Sequence, residues 1–447
     1  MTVDARVARS YTTLMSLRTS LRSLIPANVV DTYHRSQGIT AATLSGFPGK
    51  KLQVFGVTGT NGKTTTCFFL RSILVAARRQ TGLATTVQFS DGKTSWRNEQ
   101  KMTTVNPFEL GRLLKQMVKA GTTAAVLEVT SHALMQHRTW GIPFDTVIFT
   151  NLTHDHLDYH ETANHYQQAK ERLFAMPHRV SVVNGDDRVA ERFLSYPATR
   201  KFSFSVKGKA DVCASGVRTT GRGTAFVLTI GAEERKVTLR LPGLFNVQNA
   251  LAAAAAGYGS NIAIDVIVEG LEKVEAVPGR MEEINAGQDF RVLLDYAHTP
   301  DALKQALETV RAATQERIIH VGGATGNRDR SKRPLLGAIS AQSSDIIIVT
   351  NEDPDNEDPA TIMAAVVEGV RRGAGQRKKF VVNESLFVIL DRAEAIRTAL
   401  RLAEPGDTVL VTGKGDESAM MVNGQLLPYS DRSTILEALK GSYGNAR

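Results

Sequence analysis

The chain has 447 residues, 42% hydrophobic and 22% charged, the proportions of a soluble globular protein of two or three domains, which excludes disordered, collagenous and membrane-spanning classes. A formal charge of +9 directs attention to anionic partners: nucleic acid, an anionic membrane surface, or small phosphorylated substrates. No RNP, helix-turn-helix or zinc-finger pattern occurs, so nucleic acid is not expected. Cys67 and Cys213 stand far apart without C-x-x-C spacing, which points to neither a disulfide framework nor a zinc site and fits a reducing cytoplasm.

Residues 1–50 read as a helical N-terminal segment, with helices through Tyr11 to Leu24 and Asn28 to Leu44 broken at Pro26. The first thirty residues are rich in Arg and Ser with Asp4 as the one acid, a composition shared by transit peptides and by basic amphipathic helices solvated on one face. The second reading is the plainer, and it leaves contact with a membrane surface open. No apolar run is long enough for a signal sequence or a membrane span.

Residues 51–277 alternate short β-branched runs with amphipathic stretches: LQVFGVTG and a helix from Lys63, then AAVLEV, DTVIFTNL, and a helix through Tyr166 to Phe174. That alternation predicts a parallel sheet wrapped by helices. Near 200–241 the texture becomes alternating strands with Gly-rich turns, which predicts a β-hairpin insertion away from the chemistry, and the helix NVQNALAAAAAGYG follows. A turn at Val277-Pro278-Gly279-Arg280 opens a second series, RVLLDYA, ERIIHVGG, DIIIVT and DTVLVTGKG, each followed by a helical pattern. The expected fold class is therefore α/β: a central P-loop-type parallel-sheet ATPase domain, then a Rossmann-like doubly wound domain over 278–447.

Gly59-Thr60-Asn61-Gly62-Lys63-Thr64-Thr65 lies between an apolar strand and a helix. There glycines let backbone N–H groups close around phosphate, Lys63 adds a point charge, and Thr64 is placed to reach Mg²⁺. The general pattern G-x-x-x-x-G-K-[ST] is not strictly met, because its first position falls on Val57.

This variant, GTNGKTTT, resembles the ATP loop of the Mur ligases and their folylpolyglutamate synthetase relatives. Further blocks resemble the UDP-N-acetylmuramoyl-tripeptide synthetase branch of that family: Thr103-Thr104, Glu128-Val129-Thr130-Ser131-His132 with Gln136-His137-Arg138, and Asp155-His156-Leu157-Asp158-Tyr159-His160. So do Asn246 and Asn249, Pro278-Gly279-Arg280-Met281-Glu282, Asp295-Tyr296-Ala297-His298, Asn327-Arg328-Asp329 and Gly413-Lys414-Gly415. As an ordered set these blocks are specific; singly, most are not.

The resemblance implies a ligase that phosphorylates a carboxylate with ATP and lets the neutral amine of a free amino acid attack the acyl phosphate. Its acceptor would be a muramyl-peptide precursor of the cell wall, and relatives are mostly monomers. Mg²⁺, lysine and arginine would stabilise charge building on phosphoryl oxygens. Lys63, Glu128, His156 and Lys170 carry over as the catalytic set. Thr64, Glu128 and His156 would be metal ligands, joined by Lys170 if it is carbamylated. Asn246 and Asn249 would contact the adenine side, and Arg280 and Asp295 the phosphates and ribose, with the C-terminal domain closing onto ATP. Thr103, Thr104, Thr130, Gln136 and Arg138 match positions that hold the muramyl peptide, and Arg328 suits an α-carboxylate.

Where diaminopimelate-adding relatives carry Asp-Asn-Pro-Arg, this chain has Glu352-Asp353-Pro354-Asp355. An aspartate at the last position would repel a distal carboxylate and attract a distal ammonium, so lysine or ornithine is the expected amino acid, with Gly413 and Glu417 beside it and Glu417 on the amine. The family's N-terminal UDP-gripping domain of roughly a hundred residues is not expected in usual form, which leaves UDP-linked and lipid-linked acceptors both open. Rival readings are a folylpolyglutamate or cyanophycin synthetase-like ligase, an amidating Mur-like enzyme, and a non-catalytic nucleotide-binding scaffold.

Overall fold

The computed structural model describes residues 26–153, 155, 157–375 and 380–443. The expected helix through Tyr11 to Leu24 and the expected ligand His156 lie outside the described residues. Helix α1 (Ala27–Ser45) ends at Gly46, whose φ of 74° supplies the left-handed turn that stops it.

The first sheet takes β1 (Gln53–Thr58), β2 (Thr81–Ala84), β3 (Gln88–Ser90), β4 (Ser95–Arg97), β5 (Ala124–Glu128), β6 (Phe144–Phe149), β7 (Val180–Asn184), β8 (Arg200–Ser205), β9 (Val212–Thr220), β10 (Gly223–Ile230) and β11 (Glu233–Leu239). Their spatial order is β11-β10-β9-β8-β7-β6-β1-β5-β2-β3-β4. The central strands β1, β5, β6 and β7 run parallel and are buried on both faces, which is why they read as near-continuous apolar runs. Helices α2 (Lys63–Ala76), α3 (Pro107–Lys119), α4 (Ala163–Ala175), α5 (Leu244–Gly259) and α6 (Ile264–Glu272) pack against them. One core gathers Phe69, Ile73, Leu251 and Ile267 from α2, α5 and α6, and the other Leu110, Leu114, Leu173 and Phe174 from α3 and α4.

The hairpin texture near 200–241 corresponds to the antiparallel meander β9-β10-β11. β8, however, lies parallel to β7 with Val180 opposite Arg200, and β9 continues parallel to β8. The segment thus extends the central sheet instead of standing apart as an insertion. Period-two patterning reports the exposure of a strand's faces and not which neighbour it pairs with, so this continuity is not visible in the sequence.

The second sheet takes β12 (Glu282–Glu283), β13 (Arg291–Leu294), β14 (Ile318–Gly322), β15 (Ile346–Thr350), β16 (Leu386–Ile389) and β17 (Thr408–Val411) in the order β12-β13-β17-β14-β15-β16, parallel except for β12. Helices α7 (Pro300–Ala313), α8 (Lys332–Ser343), α9 (Pro359–Gly373), α10 (Arg392–Leu402) and α11 (Asp431–Tyr443) accompany it. Their starts are written locally: Thr299 caps α7 and Asp358 caps α9, each followed by proline at the first helical position, and Asp391 caps α10. In both sheets the segments leaving the carboxyl ends of parallel strands line one cleft.

α6 crosses α2 at Gly270, where a Cβ would lie 2.7 Å from the backbone nitrogen of Ile73. We expect Gly270→Ala to cost about 1–3 kcal/mol by overpacking, read as a lower denaturant midpoint. Because α2 begins at Lys63, the same variant should bind nucleotide more weakly. An unchanged midpoint would mean that the two helices separate freely.

Candidate active site

β1 runs into Gly59-Thr60-Asn61-Gly62, and α2 begins at Lys63. Gly59 (φ 148°) and Gly62 (φ 82°) hold backbone that no side chain could share: a Cβ on Gly59 would collide with Thr150 Oγ1, and one on Gly62 with Asn249 Oδ1. Asn61 N donates to Asn151 Oδ1 at 2.8 Å, and Asn61 O accepts from Thr150 Oγ1 and Asn151 Nδ2. The residues after β6 therefore fix the shape of the loop after β1. Lys63 Nζ curls back to donate to Thr60 O at 2.7 Å.

The β1–β5 register sets Glu128 opposite Val57, at the same sheet edge as the loop. Buried there, Glu128 Oε2 accepts from Thr64 Oγ1 (2.9 Å), Thr86 N (3.0 Å) and Thr86 Oγ1 (3.1 Å). Thr104 Oγ1 donates to Glu128 O at 2.8 Å and accepts from Thr130 N, while Thr86 Oγ1 lies 3.0 Å from Thr103 Oγ1. Arg138 donates to Thr104 O through Nη1 and to Gln136 Oε1 through Nε and Nη2. Gln136 thus orients Arg138, which lines the cleft. Burial lowers the proton affinity of Lys63, with Glu128 opposing it and Arg280 adding to it.

Lys170, on α4, is fully buried, donates to Gly59 O at 2.7 Å and lies 4.1 Å from the ring centre of Tyr166. Burial first, and the charge of Lys63 second, hold its ammonium well below the ordinary lysine range, with Asp155 opposing.

From the second sheet, Arg280 stacks 4.3 Å over Tyr296 and donates through Nη2 to Thr64 Oγ1 at 3.3 Å. Among the described residues its buried Nε has no hydrogen-bond partner. Asp295 accepts from Met281 N and Ala297 N at 2.7 Å each, which shapes the loop carrying Arg280 and Tyr296; burial raises the pKa of its carboxyl. Asn61 Nδ2 reaches Asp301 Oδ2 at 3.1 Å. Buried Asp155 faces Lys332 Nζ at 3.7 Å and His298 Nε2 at 3.9 Å. Burial above all brings the His298 imidazole down to about 4, Asp155 opposing and Lys332 reinforcing, so it is neutral at pH 7. His132 is likewise lowered to about 3, by burial and then by His160 and Arg328.

Most of these groups line one cleft of about 380 Å³, within the range of small-molecule sites, whereas Lys170 lies buried behind the loop at Gly59 and Gln136 stands behind Arg138. Of the residues singled out by sequence, Thr60, Asn61, Gly62, Lys63, Thr64, Thr65, Thr103, Thr104, Glu128, Thr130, Arg138, Asn249, Arg280, Asp295 and Arg328 line it. Asn246 stands behind Asn249, accepting from its Nδ2 and donating to Pro242 O.

Glu352, Asp353, Gly413 and Glu417 form a second cluster in the C-terminal sheet. Lys414 Nζ lies 3.0 Å from Asp353 Oδ1 and 2.9 Å from Glu417 Oε2, and Lys101 Nζ lies 2.9 Å from Asp353 Oδ2 and 3.0 Å from Glu417 Oε2. Asp355 stands differently from its expected role: it takes a φ of 51°, and its carboxylate accepts from Asn327 Nδ2 at 2.9 Å. It is Asp353, two residues earlier, that meets ammonium groups. Thr86, Lys101, Asp155, His132, His298 and Lys332 are residues of these two clusters to which the sequence reading gave no role. Asp155, His132 and His298 sit inside motifs it quoted, whereas Thr86 and Lys101 carry no local signal.

The chain matches the Mur ligase middle domain over residues 57–257 and the Mur ligase glutamate ligase domain over residues 279–415. This chain belongs to the Mur ligase family. As a Mur ligase it is an ATP-dependent, ADP-forming amino-acid ligase. A UDP-N-acetylmuramyl-tripeptide synthetase from Roseiflexus sp. (strain RS-1) is 40% identical over 415 residues, 89% of this chain and 81% of that protein. A UDP-N-acetylmuramoyl-L-alanyl-D-glutamate–2,6-diaminopimelate ligase from Geobacillus kaustophilus (strain HTA426) is 38% identical over 445 residues, 98% of this chain and 88% of that one. A solved ligase of the latter description superposes with a TM-score of 0.60 at 31% identity, covering 88% of this chain and 79% of its own. The folylpolyglutamate synthase of Mycobacterium tuberculosis with ADP shares the fold at a TM-score of 0.70 and 19% identity, covering 90% and 96%.

In this Mur ligase the Glu352 carboxyl is pushed up to about 7, burial outweighing the cations Arg392 and Lys414. A carboxyl raised above its unfolded value of 4.5 favours folding fully below that value and loses this contribution as pH rises through 7. We expect the stability difference between Glu352→Gln and the parent to grow from near zero at pH 4.5 to about 2–3 kcal/mol in favour of the variant at about pH 8. Thermal unfolding across that range checks it; a difference independent of pH would refute it.

Proposed function

We propose that this Mur ligase adds the third residue, a diamino acid, to UDP-N-acetylmuramoyl-L-alanyl-D-glutamate. An oxygen of the acceptor carboxylate attacks the γ-phosphorus of ATP and ADP leaves; the neutral amine then attacks the acyl carbon, the C–N bond forms, phosphate departs and the amine loses a proton. The observation that carries the reading is the convergence of Lys63, Thr64 and Glu128 from the first sheet with Arg280 from the second, its buried Nε unpaired, at one cleft. A buried donor left without a partner among the described residues, near Lys63, suits an anionic ligand, and preorganised cations stabilise charge that develops on phosphoryl oxygens.

Thr64 and Glu128 offer hard oxygen donors 2.9 Å apart, a set suited to Mg²⁺, which commonly takes one or two protein ligands and completes its shell with phosphate and water. His156 would join them by family resemblance. Bound there, the ion would supply charge neutralisation on the phosphoryl group. Lys170 would act as its carbamate: addition of CO₂ to nitrogen needs the neutral amine, and burial beside Lys63 favours that form. Thr103, Thr104, Thr130 and Arg138 would hold the muramyl peptide, Asn246 and Asn249 would flank the adenine, Asp295 would meet the ribose, and Arg328 would take the α-carboxylate of the amino acid. For the distal end, Asp353 and Glu417 present carboxylates, which favours an ω-ammonium over an ω-carboxylate.

We take the enzyme to act as a cytoplasmic monomer on a UDP-linked acceptor. A lipid-linked acceptor is the second reading, favoured by Val29, Tyr33 and Leu44, which α1 leaves exposed; pelleting with anionic vesicles separates the two.

The deciding assay follows ADP release and product mass with ATP, Mg²⁺ and UDP-N-acetylmuramoyl-dipeptide, with lysine, ornithine, meso-diaminopimelate or glutamate offered singly. Turnover with lysine or ornithine is the expected result, and Lys63→Ala should lower it by about 10²–10³-fold or more. Undiminished ligation by that variant would contradict the assigned chemistry. Turnover with meso-diaminopimelate alone would keep the enzyme class and overturn the distal-end assignment.

A further inference from the structure

Three carboxylate-handling groups of the second cluster belong to the C-terminal sheet, and their charges do not balance. Asp353 and Glu417 face the ammonium of Lys414, whose side chain is fully buried. Two carboxylates against one ammonium leave a deficit of one positive charge. Lys101, from the segment between β4 and α3 of the other sheet, fills that deficit: its Nζ sits between Asp353 Oδ2 and Glu417 Oε2 at 2.9 and 3.0 Å. Its side chain keeps 19% of its surface exposed and lines the cleft, so unlike Lys414 it has somewhere to go.

We propose that Lys101 is a tethered occupant of the distal-ammonium position, holding the place of the incoming diamino acid until that amino acid displaces it. The inference rests on the ligase reading above and deepens it. What occupies the position is itself a lysyl ammonium on a four-carbon stem, so the pocket between Asp353 and Glu417 demonstrably fits the ω-end of such an amino acid. A resident cation also supplies the second positive charge that the two carboxylates, which otherwise share Lys414 alone, lack while the cleft waits.

Displacement need not part the two sheets. Four residues before Lys101, Arg97 on β4 lies 3.3 Å through Nε from Asp416 Oδ2 and also donates to the Asp416 main-chain oxygen. Arg97 holds the Gly413–Glu417 loop against the first sheet whether Lys101 is in place or not. The two cations of one short segment thus divide the work: Arg97 keeps the domains together, and Lys101 guards the position between Asp353 and Glu417.

The division predicts opposite kinetic signatures. With ATP and acceptor saturating and the amino acid varied, Lys101→Met should lower the amino-acid KM at least fivefold, because an intramolecular competitor is removed. Lys101→Arg, which keeps the cation, should stay within about twofold of the parent. Arg97→Met should raise KM, lower kcat, or both. A Lys101→Met enzyme whose amino-acid KM is unchanged or raised would overturn the proposal and make Lys101 a plain interdomain contact or a ligand for a substrate carboxylate. Absence of turnover by the unmodified enzyme with every amino acid would overturn the ligase reading itself, and this inference with it.

Discussion

Cations crowded into a dry cleft are the constraint on which the rest of this molecule depends. Lys63 and Lys170 are both buried, burial and the charge of Lys63 draw Lys170 toward its neutral amine, and Arg280 arrives from the second sheet to donate to Thr64. Against them stand Glu128 and Asp155, buried as well. Removing like charges from water without full compensation is unfavourable, and the imbalance is relieved by a polyanion. The same imbalance suits a site shared by both sheets: Arg280 comes from the second, where it stacks over Tyr296, and donates to Thr64 of the first, so an anion between it and Lys63 would meet cations from both.

Much of this was legible in the sequence because it is written in short-range terms. Doubly buried parallel strands have to be apolar throughout, so QVFGVT, AAVLE and FDTVIF announce themselves, and the loop after the first of them carries glycines where Thr150 and Asn249 leave no space for a side chain. Glu128 could be read as a strand-end carboxylate, and parallel pairing with the loop-bearing strand then brings it beside Thr64. The ordered blocks of family resemblance placed most of the remaining lining residues.

What stayed hidden depends on contacts between distant parts of the chain. Lys101 sits in an irregular segment and acquires meaning only from Asp353, 252 positions away. Asp355 shows a related limit: aligned position suggested that its side chain would face substrate, whereas its left-handed backbone conformation and its hydrogen bond from Asn327 are features that position alone does not convey. His298 reads locally as a residue near a helix start, and its neutral character comes from burial first, with Asp155 opposing and Lys332 reinforcing, none of which any pattern connects to it. In each case the missing information is tertiary geometry acting on charge, which local propensity does not encode.

The segment from Arg97 to Thr104 joins these observations. Arg97 grips Asp416, Lys101 sits between Asp353 and Glu417, Thr103 meets Thr86, and Thr104 donates to the main chain of Glu128. Thr86 in turn donates twice to the carboxylate of Glu128, which also receives Thr64 from the phosphate loop. Direct contacts therefore run from the C-terminal carboxylates through one short loop to the carboxylate proposed to hold the metal. One short segment thus touches both clusters, held by packing and hydrogen bonds against the apolar sheet beneath it.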